Sequence, residues 1–328
     1  KSEYTLATTM ENLFKKELVK DDMLRMMFAC CHPNISGENQ ITLILKTLCG
    51  FSTAEIAKAF LTSEEAVSKR LYRTKEFFRK EKVKLEIPSV EEIKNRTDAV
   101  LNSIYLLFNE GYNSTHVKEL IREDLIREAL LLCKLLIDNP HTQQPETFAL
   151  MALMCFHSSR SESRLTATGE IILLPNQDRS KWNAEMLEHG NFYMNKAAYG
   201  NTLSTYHLEA AIAYEHCTSP SFDKTNWKLI LNYYEMLCKI SLSPATLLNK
   251  IAVVMQLHGP LVALQQLEEM NDNKKLETIY LYYSLLGELN LRLNRREESK
   301  RNFEKAISLT QSPSEKALLS SKIAVMFN

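Results

Sequence analysis

Glycine and proline number 8 and 9 in 328 residues. This scarcity constrains the fold more than any other feature of the sequence. Tight turns and bulges draw on these two residues, and intervals without them are free to stay helical. Strong helix formers (Leu, Glu, Lys and Ala) fill those intervals, so the expected fold class is all-α. Apolar residues at 45% and charged residues at 24% exclude global disorder. The length points to two or three domains. No run approaches the roughly eighteen apolar residues of a membrane span, and no signal peptide opens the chain. The expected setting is cytoplasmic, with no membrane partner. Seven scattered Cys in apolar surroundings fit reduced thiols better than a disulfide framework.

Helical spacing begins with Leu13, Phe14 and Leu18, continues through Met23, Leu24, Met27 and Phe28, and stops at His32-Pro33. Ile41, Leu43, Ile44, Leu45 and Leu48 form a second helix closed by Gly50. Ser52 with Glu55, and Thr62 with Glu65, form capping boxes. Leu61, Thr62 and Ser63 make a short turn, so the pattern is helix, turn, helix. Ser89 with Glu92 makes a further box beside the main boundary, at residues 85–89. Helices are then expected over about 90–109, 121–138, 145–158, 182–199, 204–217, 224–240, 245–257, 260–270, 274–293, 296–309 and 313–327. Strand is expected in one place, residues 164–174, which read as a small β-hairpin or an extended loop. Tyr283, Leu286, Gly287, Phe303 and Ala306 sit at spacings that resemble a tetratricopeptide repeat (TPR), with a degenerate copy at Ala252, Gly259 and Leu264. The expected organisation is a helix-turn-helix domain over 21–86, a helical domain with the hairpin over 87–245, and TPR-like helical hairpins over 246–328.

The net charge is zero, but the sum hides segregation. Between Ala66 and Lys84 eight basic residues face two acidic ones, a charge of +6, and the remainder of the chain carries −6. Val67, Leu71, Thr74 and Phe78 form the apolar stripe of this helix. Its opposite face carries Glu65, Lys69, Tyr72, Arg73, Glu76 and Lys80. A basic helix after a short turn suits the major groove of DNA, where cations take phosphates and residues near the helix start reach base edges. Glu65, Ser68, Lys69 and Arg73 are the candidate base readers, since Glu can accept from a cytosine amine and Arg or Lys can donate to guanine. Arg70, Arg79 and Lys80 are candidate phosphate contacts, and Tyr72 lies on the same exposed face.

Three stretches here resemble region 4 of extracytoplasmic-function (ECF) sigma factors: Glu38-Asn39-Gln40-Ile41-Thr42-Leu43, Phe51-Ser52-Thr53-Ala54-Glu55-Ile56-Ala57 and Ser68-Lys69-Arg70-Leu71-Tyr72-Arg73-Thr74-Lys75. The likeness sharpens to the subgroup with a long TPR-like C-terminal extension. Its markers are similar to Cys30-Cys31-His32-Pro33, to Tyr105-Leu106-Leu107-Phe108-Asn109-Glu110-Gly111-Tyr112 and to Asn176-Gln177-Asp178-Arg179-Ser180-Lys181-Trp182. The resemblance implies a bacterial transcription initiation factor. Its region 4 would recognise the −35 promoter element and contact the β flap of RNA polymerase core, with the extension modulating activity. It also implies a preceding region 2, for which this chain has no room. Residues 1–20 would be a remnant of the inter-region linker, and the chain by itself is not expected to initiate transcription.

Other candidates are weaker. Cys30, Cys31 and His32 lack a second Cys or His pair at metal-site spacing, so no metal and no cofactor are expected. Phe108 to Tyr112 is expected to end a helix, with Gly111 in a left-handed cap and with Asn109 and Glu110 fixing the loop or lining a pocket. Asp178 is expected to cap a helix with Trp182 packed below it. Asn109, Glu110, Asp178, Arg179 and Trp182 form the candidate ligand or partner site. His157 and His216 read as ordinary core or surface groups. No nucleophile set, zinc-protease helix or phosphate-binding glycine loop is present, so no enzyme is expected. The alternatives are a helical-repeat scaffold for a protein partner, or a small-molecule sensor around Asp178.

Overall fold

A computed structural model describes residues 21–32, 34–60, 62–81, 90–114, 120–270 and 276–327. The described residues are mostly helical and contain no strand. The linker at 1–20, the cap at Ser89 and the boundary between residues 86 and 87 lie outside them. Two compact units divide the chain: residues 1–159 with 183–202, and residues 160–182 with 203–328.

The first unit holds α1 (Asp21–Cys30), α2 (Gly37–Thr47), α3 (Thr53–Ala59), α4 (Glu64–Lys80), α5 (Val90–Tyr112), α6 (Glu123–Asp138), α7 (Pro145–Ser158) and α8 (Ala184–Ala197). Apolar spacing explains the first four: Met27 and Phe28 of α1, Ile41, Ile44 and Leu45 of α2, Ile56 of α3 and Val67 of α4 are all buried. After α2 the chain reverses at Gly50, whose φ of 71° lies in the left-handed region. Phe51 then turns inward, its N–H donating to Leu45 O at 2.9 Å. α7 is apolar on every side, with Ala149 through Phe156 all buried, so it forms the centre of this unit. Gly190 of α8 lets that helix approach α7, because a Cβ there would come within 2.5 Å of the Phe156 ring.

α5 runs three residues beyond its expected end and carries Gly111 inside the helix, not in a left-handed cap. The reason is packing. A Cβ on Gly111 would stand 2.8 Å from the Ile126 nitrogen, so the glycine permits contact between the α5 and α6 backbones. The N-cap of α4 is likewise Ser63, whose Oγ accepts from Ala66 N at 3.2 Å, and not Thr62 of the expected box.

The second unit holds α9 (Thr205–Thr218), α10 (Trp227–Ile240), α11 (Pro244–His258), α12 (Pro260–Glu269), α13 (Tyr280–Arg292), α14 (Arg296–Leu309) and α15 (Pro313–Phe327). Leu208, Ile212, Ile230, Leu237 and Val253 join α9 to α11, and a further cluster from Leu248 to Leu289 joins α11 to α13. At Gly287 of α13 a Cβ would meet the Phe303 ring of α14 at 2.6 Å, and Ser299 Oγ donates to Gly287 O at 2.7 Å. The expected hairpin at 164–174 reduces to one antiparallel bridge, Leu165 with Ile171. Hydrogen bonds Thr166 N to Glu170 O and Ile172 N to Arg164 O close a loop that turns at Gly169, and pairing goes no further. The helix expected from residue 182 starts at Ala184, because Asn183 caps it, its side chain accepting from Met186 N at 2.9 Å.

Candidate nucleic-acid interface

α3 begins at a reciprocal cap: Ser52 N donates to Glu55 Oε2 at 2.6 Å, and Glu55 N donates to Ser52 Oγ at 3.2 Å. α4 follows four residues after α3 ends, and its first-turn Glu64 and Glu65 suit the positive helix start. Val67, Leu71 and Thr74 are buried, while Phe78 is half-buried and lies edge-on to His32 and Phe77. The apolar stripe is thereby fixed inward, which turns Glu65, Ser68, Lys69, Tyr72, Arg73, Arg79 and Lys80 to the exterior.

Not all of these cations are equally available. Lys69 Nζ lies 2.6 Å from Glu65 Oε1, and Arg79 Nη2 lies 2.8 Å from Glu76 Oε2. Such exposed pairs contribute only about 0.3–0.5 kcal/mol and open readily to a phosphate. Arg70 differs. It is half-buried, pairs with Glu38 Oε2 of α2 at 2.7 Å and lies 5.6 Å over the Phe60 ring. It holds α4 against α2, and the sequence pattern did not separate it from its exposed neighbours. Arg73, Lys75 and Lys80 are exposed and have no carboxylate partner among the described residues. Tyr72 is 68% exposed and stands beside Lys69 and Arg73 on the helix surface.

The remaining candidates fall in two places. Asn109 and Glu110 belong to the first unit, where Glu110 is buried and accepts from Ser114 Oγ at 3.1 Å. Asp178, Arg179 and Trp182 belong to the second. Asp178 caps only a short 3₁₀ turn, Arg179–Lys181, by accepting from Ser180 N and Oγ. These hydrogen bonds from Ser180 hold its carboxyl below the usual carboxylate value. The Arg179 guanidinium lies 4.4 Å over the Trp182 ring, and its Nη1 donates to the carbonyls of His216 and Ser219. Arg160 and His216 join this cluster through tertiary packing, which no spacing in the sequence announces. Burial pushes the Cys30 thiol up to about 11 and the Cys31 thiol to about 12, so both stay protonated. Among the described residues no three His, Cys, Asp or Glu side chains could hold a metal ion, and no helix is long and apolar enough to cross a membrane.

Comparison with known proteins finds a relative in Rhizobium meliloti (strain 1021), described as uncharacterized protein R00370. It is 33% identical over 300 residues, which span 92% of this chain and 70% of the relative. The chain belongs to that protein's family. A family of unknown function, DUF6596, matches residues 96–198, from within α5 to the end of α8. No solved structure matches the chain.

Proposed function

We propose that the chain is the −35-recognising part of a bacterial RNA polymerase sigma factor of the ECF type, with α3 and α4 as its helix-turn-helix. What supports this reading is the exposed face of α4. Arg73, Lys75 and Lys80 stand there without carboxylate partners among the described residues, and the opposite face is locked into the core. Lys80 and Arg79 hold phosphates and set the orientation of the helix. Lys69 and Arg73 donate to guanine edges, Ser68 reaches a neighbouring base, and Glu65 accepts from a cytosine amine. Arg70 keeps α4 in place through Glu38 and makes no DNA contact. The protein partner is RNA polymerase core through its β flap. The later helices, with TPR-like packing at Gly287 and Phe303, modulate this activity. No chemical step occurs in the chain, and its setting is the cytoplasm.

The test is binding of the full chain to a labelled DNA duplex across a salt series, followed by fluorescence anisotropy. The logarithm of affinity should fall linearly with that of salt concentration, and Arg79→Ala or Lys80→Ala, which remove phosphate contacts, should each lower the slope by about one. Absence of binding, or a slope unchanged in both variants, contradicts the assignment of α4.

A further inference from the structure

The second unit contains a group of buried polar atoms that no described residue satisfies. Trp182 is 8% exposed, and its Nε1–H has no acceptor. Arg179 spends Nη1 on the two carbonyls at the end of α9, yet its Nη2 is buried without a partner. The Nδ1 of His216 is buried and unpartnered as well. Native proteins rarely leave such groups orphaned, and three on contacting residues are unusual.

Their charge points one way. Arg179 forms no ion pair with any described residue, and a second guanidinium, that of the buried Arg160, lies 5.9 Å from the Trp182 ring. Burial, together with these two guanidiniums, lowers the His216 imidazole to about 3, so the ring is neutral and can donate from Nδ1. Burial, and with it the nearby Arg160 guanidinium, lowers the Arg179 guanidinium below its ordinary value. Arg179, with its Nη2 buried, therefore carries a positive charge that no carboxylate among the described residues balances. Gln177 on the same loop adds one orphaned acceptor, Oε1.

We propose that Arg179, Trp182 and His216, with Arg160 beside them, bind the oxyanion of a small ligand, a carboxylate or a phosphate group. The fork of a guanidinium matches two oxygens of either group, and the indole N–H supplies a third donor. The Trp182 ring, already covered by Arg179, forms an apolar wall. The site lies wholly within the second unit, and its test does not require DNA binding by α4.

The experiment is ¹⁵N NMR of the indole N–H groups in the full chain. Trp182 and Trp227 are the only tryptophans, so two signals appear, assigned by Trp227→Phe. Inorganic phosphate and succinate are titrated separately, with potassium chloride at equal ionic strength as reference. A saturable shift of the Trp182 signal with one of the two identifies the group, and a shift with both identifies a general oxyanion site. Arg179→Gln should weaken half-saturation about tenfold or more. Because Arg179 also ties down α9, the wild-type titration decides on its own if that variant does not fold. If neither anion moves the signal beyond the effect of chloride, the proposal fails and solvent satisfies these donors.

Discussion

Arg122 donates from Nη1 to Oε1 of Glu55 at 2.8 Å, while the other oxygen of the same carboxylate accepts from Ser52 N. One side chain therefore caps α3 and ties it to the start of α6, 67 positions later. The pair is mostly shielded, with side-chain exposures of 23% and 15%. Glu55→Ala removes the cap partner and leaves Arg122 paired only through Nη2 with the more exposed Asp124 at 3.1 Å, so urea denaturation should show a loss of about 1–3 kcal/mol. Glu55→Gln keeps an oxygen for Ser52 and should lose less. Equal stability of Glu55→Ala and wild type contradicts the coupling.

Arg70 lies one residue from Lys69 but does different work. Arg70→Ala should lower stability by about 1 kcal/mol through loss of the Glu38 pair and the Phe60 contact. It should leave the salt dependence of DNA binding unchanged in the folded variant. A slope that falls as it does for Lys80→Ala would place Arg70 on DNA instead.

Gly111 and Gly37 make a matched pair. Alanine is the better helix former by about 1 kcal/mol, and around Gly37 a Cβ meets nothing within 4 Å. Gly37→Ala should be neutral or stabilising. Gly111→Ala pushes a methyl against the Ile126 backbone and should cost about 1–3 kcal/mol net. Thermal denaturation of the two variants compares them directly, and a stabilised Gly111→Ala would refute the close approach of α5 and α6.

His216 gives a pH signature. Its folded value of about 3 lies below the ordinary 6.5, so the unfolded chain takes up a proton that the folded chain refuses. Stability is unaffected by this group above pH 6.5 and is lost progressively as pH falls from 6.5 towards 3. The slope reaches at most about 1.4 kcal/mol per pH unit. His216→Gln should lose stability less steeply over that interval in denaturant titrations. Identical slopes would mean that His216 is not held neutral.

The helices were legible where local signals agree. Pro145, Pro313 and the spacing around Phe303 mark α7, α14 and α15 at their observed limits, and Ser52 with Glu55 marks the start of α3. Legibility failed where packing between helices overrides a local preference. Gly111 carries a capping residue type but serves close approach, and residues 164–174 have strand-like composition but no partner strand. On α4 the burial of Val67, Leu71 and Thr74 was readable from their spacing. The inward pull on Arg70 was not, because it comes from Glu38 in another helix. Arg179 and Trp182 were visible as a motif, whereas Arg160 and His216 reach the same place only through folding.

The central claim is that α4 reads DNA sequence, and selection from a randomised duplex library with the full chain tests it most directly. Repeated rounds should enrich one short motif, and Arg73→Ala should relax preference at one or two of its positions, at a cost of about 1–3 kcal/mol each. No enriched motif, or the same motif at undiminished strength in Arg73→Ala and Lys69→Ala, would contradict the account.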